Sequence, residues 1–300
     1  MEKEFENTFC SYYAKSWADL RDVLSGLNDW VFRGQGDYSW KLSTSLERSA
    51  SRSGYDTRAT AEIEKVLLEK FRKRASSYLS RVPNNSRLLE WFSLIQHFGG
   101  PSRLLDLSHS FYVAIFFAVE STTTDAAVYC LNRKLIDRKG KEAEYRLGAD
   151  SKFKFGTSAF CDHAITEGRL SPLVIIAEPD SYNERLAAQQ GLFAVPFEIA
   201  QTFEYNLSLT LYPLRKDLPK VKAIREFSDI DDCALLKVRI PKSIHKEIRK
   251  DLSLMNITAA TLYPGLDGFA RSLHWSFDNQ LTNEWIEFSN AVGRRMRGES

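Results

Sequence analysis

The sequence predicts an α+β fold: a single compact mixed domain with a small central β-sheet core, flanking helices and a charged insertion. Three observations lead there. Short apolar runs of strand length, such as Leu173–Ala177, lie among longer stretches of helical period. The 300 residues, 43% apolar and 27% charged, suffice for one large core without disulfide staples. No repeat, low-complexity tract or glycine- or proline-rich linker divides the chain.

Leu20, Val23, Leu24 and Leu27 share one helical stripe, which predicts an amphipathic helix over Trp17–Leu27. Trp30, Val31 and Phe32 read as a short buried strand that delivers Arg33 to its end. An irregular stretch anchored by Trp40 and Leu42 follows. A long helix is expected over Thr60–Leu79, with Ile63, Val66, Leu67 and Phe71 as its apolar face. A second helix over Arg87–His97 stops at Gly99-Gly100-Pro101, where glycine and proline both break helices. Phe111–Val119 is apolar enough for a strand, but the serines at 108 and 110 offer caps and Ala126–Leu131 is the better strand. Phe111–Val119 is therefore assigned to a buried helix. Arg133–Lys154 is charged and lacks a clear period, which predicts an insertion outside the core. Leu173–Ala177, Leu192–Pro196 and Ala234–Ile240 are strands, Glu184–Gln190 precedes the second of them, and Pro241 opens a helix to about Lys250. A short element follows near Met255–Thr261, and the end of the chain is expected to fray.

A formal charge of +2 implies neither a nucleic-acid nor a membrane partner. Cys10, Cys130, Cys161 and Cys233 are too widely spaced for a zinc knuckle or a redox pair. The opening residues lack the basic and apolar regions of a signal peptide, and no run approaches a membrane span, so a cytoplasmic, reduced protein is expected. Phosphate-loop, dinucleotide-fold, GxSxG and kinase signatures are absent. His163, His245 and His274 lack metal-ligand spacing and read as structural or surface residues, and Asp217, Asp231 and Asp232 as partners of basic side chains.

Two segments can carry chemistry. Arg33 aims a fixed guanidinium from a rigid strand, Gly34 leaves room for a ligand, and Gln35 adds an amide. A guanidinium fork suits phosphate or carboxylate, although it equally suits a structural ion pair. After the glycine bend, His97, Arg103 and Asp106 can meet in one cleft, with His97 on a ribose or acting as base, Arg103 on a phosphate and Asp106 orienting either. The competing arrangement is an Arg103–Asp106 salt bridge with His97 capping a helix. Gln189-Gln190-Gly191 offers amides to a ribose, or is a surface turn.

Phe32-Arg33-Gly34-Gln35 followed by Trp40, Leu42, Leu46 and Arg48 resembles the opening of the FRG domain family. Gln96-His97 through Ser108 resembles its QHxGxxTRLLDWT block, with Ser102 and Ser108 for threonine and Leu107 for tryptophan in the pocket wall. Arg185 with Gln190-Gly191-Leu192-Phe193 and Pro196 resembles a third block, and Leu262–Ala270 a fourth, LFPDLDGLA. The resemblance implies an FRG-like domain over residues 17–273 between terminal extensions 1–16 and 274–300. More remotely, the layout is similar to ADP-ribosyltransferases, with Arg33 as the NAD-holding residue of an early strand and Ser102–Phe111 as the nicotinamide block. Gln190 then stands where a catalytic glutamate is usual, and Glu178 and Glu184 are the nearest carboxylates.

The resemblance thus implies an NAD-utilising enzyme, a toxin or antiphage effector acting on a protein or nucleic-acid acceptor. Arg33, His97, Asp106 and Gln190 would be catalytic, and Arg33, Gly34, Gln35, Arg103 and Ser108 would hold NAD. A nucleotide- or nucleic-acid-binding module, with Phe32, Tyr38 and Trp40 stacking bases, and a non-catalytic sensing adaptor are the alternatives.

Overall fold

The computed structural model describes residues 10–146, 152–168, 172–211, 233–277 and 281–297. It is an α+β fold around one seven-stranded mixed sheet. The strands are β1 (Cys10–Tyr13), β2 (Trp30–Gln35), β3 (Leu105–Ser108), β4 (Ala126–Asn132), β5 (Val174–Ala177), β6 (Gly191–Pro196) and β7 (Leu235–Ile240), in the order β1-β7-β4-β2-β3-β6-β5. Among the described strands, only β1 and β7 pair in parallel.

The sheet is nearly two sheets. β2 and β4 share a register from Trp30↔Asn132 to Gln35↔Ala127, and β3 pairs β6 over its whole length. Between β2 and β3 the pairing is confined to Phe32↔Ser108. Beyond that point the edges of β2 and β3 part, leaving backbone groups that the ladder does not satisfy.

Helices cover both faces. Helices α1 (Trp17–Ser25), α2 (Ser45–Arg52), α3 (Thr60–Ala75), α4 (Leu88–His97) and α5 (Phe111–Val119) belong to the first half of the chain. Next come α6 (Arg133–Arg146), α7 (Ser158–Glu167), α8 (Glu184–Ala188) and α9 (Phe203–Leu211), then α10 (His245–Leu254), α11 (Ala259–Leu262), α12 (Leu266–Ser272) and α13 (Leu281–Met296). Leu20 and Leu24 of α1, Val113–Val119 of α5 and Ile248 and Leu252 of α10 pack with Phe32, Val128 and Val238. On the same face, Phe92 and Ile95 of α4, Phe160 of α7 and Leu186 of α8 pack with Phe193 and Val195. The opposite face holds Val31, Leu105 and Leu107 under Ile136 of α6 and Phe203 and Leu207 of α9.

Caps fix the helix starts. Ser110 accepts from Val113 N and makes Phe111–Val119 a helix, as expected. Thr44 and Glu47 form a capping box on α2, and the second carboxylate oxygen of Glu47 accepts from Phe203 N at 2.7 Å, tying α2 to α9.

Several expectations need correction. Arg33 lies inside a strand rather than at its end. Arg133–Arg146 is a helix that buries Ile136 and Ala143, so this charged stretch is a layer of the core and not an insertion. β1 comes from the segment read as an N-terminal extension. Trp40 is 57% exposed and anchors nothing, whereas Leu42 is buried. In α3, Val66 is exposed and Glu64 is buried, for a reason given below. The last residues read as frayed form part of α13 as far as Met296. Asp217, Asp231 and Asp232, and residues 147–151 of the charged stretch, lie outside the described residues.

Gly34 faces α5 with no space to spare. A Cβ there would fall 2.6 Å from Ala118 N and closer still to the Ala114 carbonyl oxygen. Both are backbone atoms, which cannot swing aside. Gly34→Ala is expected to cost about 3 kcal/mol or more in urea unfolding. Gly36→Ala, whose Cβ would meet only Thr122 Cβ at 3.4 Å, is expected to unfold near the parent midpoint.

Glu204 on α9 accepts from Leu42 N at 2.9 Å and so holds the loop after β2. Burial pushes its carboxyl up to about 7 despite that hydrogen bond. A folded value above the ordinary 4.5 means its stabilising contribution is complete below that pH and is lost as pH rises through about 7. Melting temperatures of the parent and Glu204→Gln should therefore diverge with the parent declining more steeply between about pH 5 and 8.

Candidate functional site

The parted edges of β2 and β3 form a cleft of about 120 Å³. Arg33, Ser45, Arg48, Gln96, Gly99, Gly100, Leu104, Leu105 and Asp106 line it. Arg33 bridges the gap: its Nη1 donates to the Asp106 carbonyl oxygen at 2.8 Å and lies 3.9 Å from the Asp106 carboxylate. The guanidinium thus replaces a missing ladder hydrogen bond. Gln96, at the end of α4, donates its amide to the same carboxylate.

Two polar atoms of this cleft are left over. Arg33 Nε and Gln96 Oε1 are buried without a hydrogen-bond partner. A buried donor and a buried acceptor in that condition each cost on the order of 1–3 kcal/mol. Burial pulls the Arg33 guanidinium below the ordinary arginine value, and Asp106 opposes that. Burial does the same to Arg48, whose charge Glu47 and Asp106 support. Two arginines therefore face one exposed carboxylate, an arrangement that favours an anion.

A second group adjoins Asp106. Arg185 on α8 lies 4.6 Å from the Tyr263 ring centre and Arg271 on α12 lies 4.3 Å from it. His97 packs edge-on against Phe98, and burial followed by the charge of Arg185 lowers its pKa below the usual histidine value. Burial raises the Tyr263 phenol, and Glu120 and Asp106 add to that rise. Glycines seat these elements: a Cβ on Gly268 would fall 2.7 Å from Ala259 O, and one on Gly191 would run into Leu186. Gln189 donates to Leu262 O at 2.9 Å and ties the turn before β6 to α11.

The structure sorts the residues proposed from sequence. Arg33 and Asp106 meet in the cleft, and His97 stands beside it near Arg185. Gly34 leaves no room for a ligand, since α5 fills that space. Gln35 is buried and donates to Lys41 O at 3.2 Å. Ser108 is spent internally, donating to Gln189 O and accepting from Ser110 N. Leu107 is core, not cleft wall. Gln190 has a φ of 47° in the turn before β6, and its carbonyl accepts from His109 N. That position is three residues along from Asp106, about 10 Å by strand rise, past the closed end of the split. Glu178 is held there by Arg133 at 2.9 Å.

Arg103 is the largest correction. It pairs with Glu64 of α3 and not with Asp106. Its Nε donates to Glu64 Oε1 at 2.8 Å, Nη2 bonds the other carboxylate oxygen, and the ring of Phe92 lies 5.1 Å away. With Arg103 6% exposed, no face of the guanidinium is left for NAD. Arg48, Gln96, Tyr263 and Arg271 were not singled out as site residues, although Arg48, Gln96 and Tyr263 stand in the blocks that carry the resemblance.

Removing one partner of the buried pair should be far worse than removing both. Arg103→Met is expected to cost about 3–5 kcal/mol in urea unfolding, with Glu64→Met/Arg103→Met recovering most of that loss.

Among the described residues no group of His, Cys, Asp and Glu could hold a metal ion, and no helix is long and apolar enough to cross a membrane. No curated protein and no solved structure matches the chain. The matching family model is the FRG domain, over residues 28–127, the span that builds the cleft from Arg33, Arg48, Gln96 and Asp106 and stops before Arg185 and Tyr263.

Proposed function

We propose that the chain is an NAD-utilising, ADP-ribosyltransferase-like enzyme that holds the NAD diphosphate in the cleft between β2 and β3. The observation that carries this reading is the orphaned buried donor, Arg33 Nε, in a cleft faced by two guanidinium groups. The cleft volume of about 120 Å³ fits a diphosphate and not a whole dinucleotide. Nicotinamide and adenine would extend along its open sides, toward Tyr263 and His97.

Arg33 and Arg48 bind the diphosphate through charge-assisted hydrogen bonds. The bond between the anomeric carbon and the nicotinamide nitrogen breaks, with its electron pair leaving on nicotinamide. Positive charge develops at that carbon and is stabilised by the Asp106 carboxylate, which is 57% exposed and oriented by Gln96. The acceptor's lone pair closes the new bond, and Asp106 takes its proton. This reading assigns Asp106 the work expected of a glutamate and leaves Gln190 outside the chemistry. Use as a toxin or antiphage effector belongs to the same proposal.

A nucleotide-binding module without turnover uses the same arginines. Nicotinamide release is to be measured with purified protein mixed separately with protein, RNA and DNA extracts, alongside melting curves with and without NAD. Arg33→Lys, which keeps charge but loses the fork, and Asp106→Asn are each expected to reduce release by about 100-fold or more while melting shifts by only a few degrees. Thermal stabilisation by NAD with no turnover would move the reading to the binding module. The absence of both stabilisation and turnover would overturn this reading and the binding module alike.

A further inference from the structure

We infer that the edge of the sheet face formed by β1 and β7, together with the loop after β2, is a binding surface for single-stranded nucleic acid. The register sets two rows side by side on that face. One is Arg33–Tyr129–Lys237–Ser11 and the other is Gln35–Ala127–Arg239–Tyr13. Paired residues point to the same side of a sheet, so neither row can turn its side chains elsewhere. Helices α6 and α9 cover the neighbouring row, Val31, Leu131 and Leu235, and the same cluster buries Tyr129 and Ala127, so that only the β7 and β1 ends of the two rows, with Lys237, Arg239 and Tyr13, reach the surface.

The loop after β2 adds Tyr38 and Trp40 to the face. Arg239 lies 5.3 Å from the Tyr13 ring centre and 5.2 Å from that of Tyr38. Lys237 lies 4.4 Å from Tyr38 and 4.9 Å from Tyr129. Tyr13, Arg239, Tyr38, Lys237, Tyr129 and Arg33 therefore alternate ring and cation across the sheet. Tyr13 is 51% exposed and Trp40 57%, while Tyr129 is buried as a floor and bonds the Trp40 carbonyl at 2.6 Å.

Carboxylates also face this region. Asp125 pairs with Arg239 at 2.6 Å, Asp37 is bound by Ser39, and Glu204 lies under the loop. With Lys41 and Lys242 counted, the cations of this region outnumber these three carboxylates by one, Arg33 being matched by Asp106. Rings that stack bases between cations that track phosphates are the chemistry of single-strand binders, because a duplex keeps its base faces stacked on each other. An acidic protein surface would use the cations and leave the exposed rings without a role. The inference is independent of the NAD reading, since it requires binding with or without NAD.

The test is fluorescence anisotropy of labelled oligo(dT) and oligo(U) against the full chain, with a duplex of equal length, inorganic polyphosphate and polyglutamate as competitors. Single strands should bind in preference to all three, and weaken steeply between about 50 and about 200 mM salt. Tyr13→Ala/Trp40→Ala should weaken single-strand binding about 10-fold or more at unchanged melting temperature, and Tyr13→Phe/Trp40→Phe should retain it. Absence of binding at low salt would overturn the proposal. So would displacement by polyphosphate or polyglutamate as effective as by oligonucleotide, or affinity untouched by removal of the two rings.

Discussion

The backbone of α5 rests directly on the backbone of β2, and it can do so only because residue 34 has no side chain. A Cβ at Gly34 would fall among Ala114 and Ala118 main-chain atoms. That contact fixes more than one helix. It presses Phe32 into the core beside Val113–Val119 and, by strand alternation, sends Arg33 to the opposite face. α5 ends at Val119, and Arg271 grips the carboxylate of the capping Glu120 at 2.6 Å. A glycine between an arginine and a glutamine therefore acts on the site through packing, not by admitting a ligand.

The chain treats two arginines in opposite ways. Arg103 has its charge neutralised by Glu64, its donors used and its flat face covered by Phe92. Such a pair is closed to further chemistry and fixes how α3 lies on the sheet. Arg33 instead spans a gap in the ladder with one hydrogen bond, keeps Nε buried without a partner, and faces a carboxylate that is largely exposed. In a protein interior unmet donors are uncommon, and Arg33 Nε differs from the likewise unmet Arg72 Nε in belonging to a residue that lines the cleft. The difference between the two is one of satisfaction rather than of charge or depth.

Much of this was legible in the sequence wherever period and caps agreed. Ser110 before Phe111–Val119 decided helix over strand, and Ala126–Leu131 stood out as a run with no polar break. β1 and β3 were missed because four residues give too little alternation to see. α6 was missed because two buried positions, Ile136 and Ala143, support a helix of otherwise polar residues. For the site, Arg33 and Asp106 were found and their bridging hydrogen bond was not, because it depends on strand order. Arg103 was misassigned because Asp106 is close in sequence, whereas its partner Glu64 is 39 residues away on another helix. Proximity along the chain says little about an ion pair unless both residues share a helix face.

The split in the sheet and the ring-and-cation line meet at one residue. Arg33 is the register neighbour of Tyr129, and Tyr129 is that of Lys237, so the line ends where the cleft begins. Continuity of this kind follows from antiparallel pairing, which carries a row of side chains across strands that lie far apart in sequence. A one-residue slip of β7 and β1 would turn Lys237, Arg239 and Tyr13 to the buried face, where their charges and hydroxyl would be stripped of water. The register that satisfies the core is thus the same one that aligns the exposed cations with Arg33. Fold stability and the geometry of both surfaces are set by a single choice of pairing.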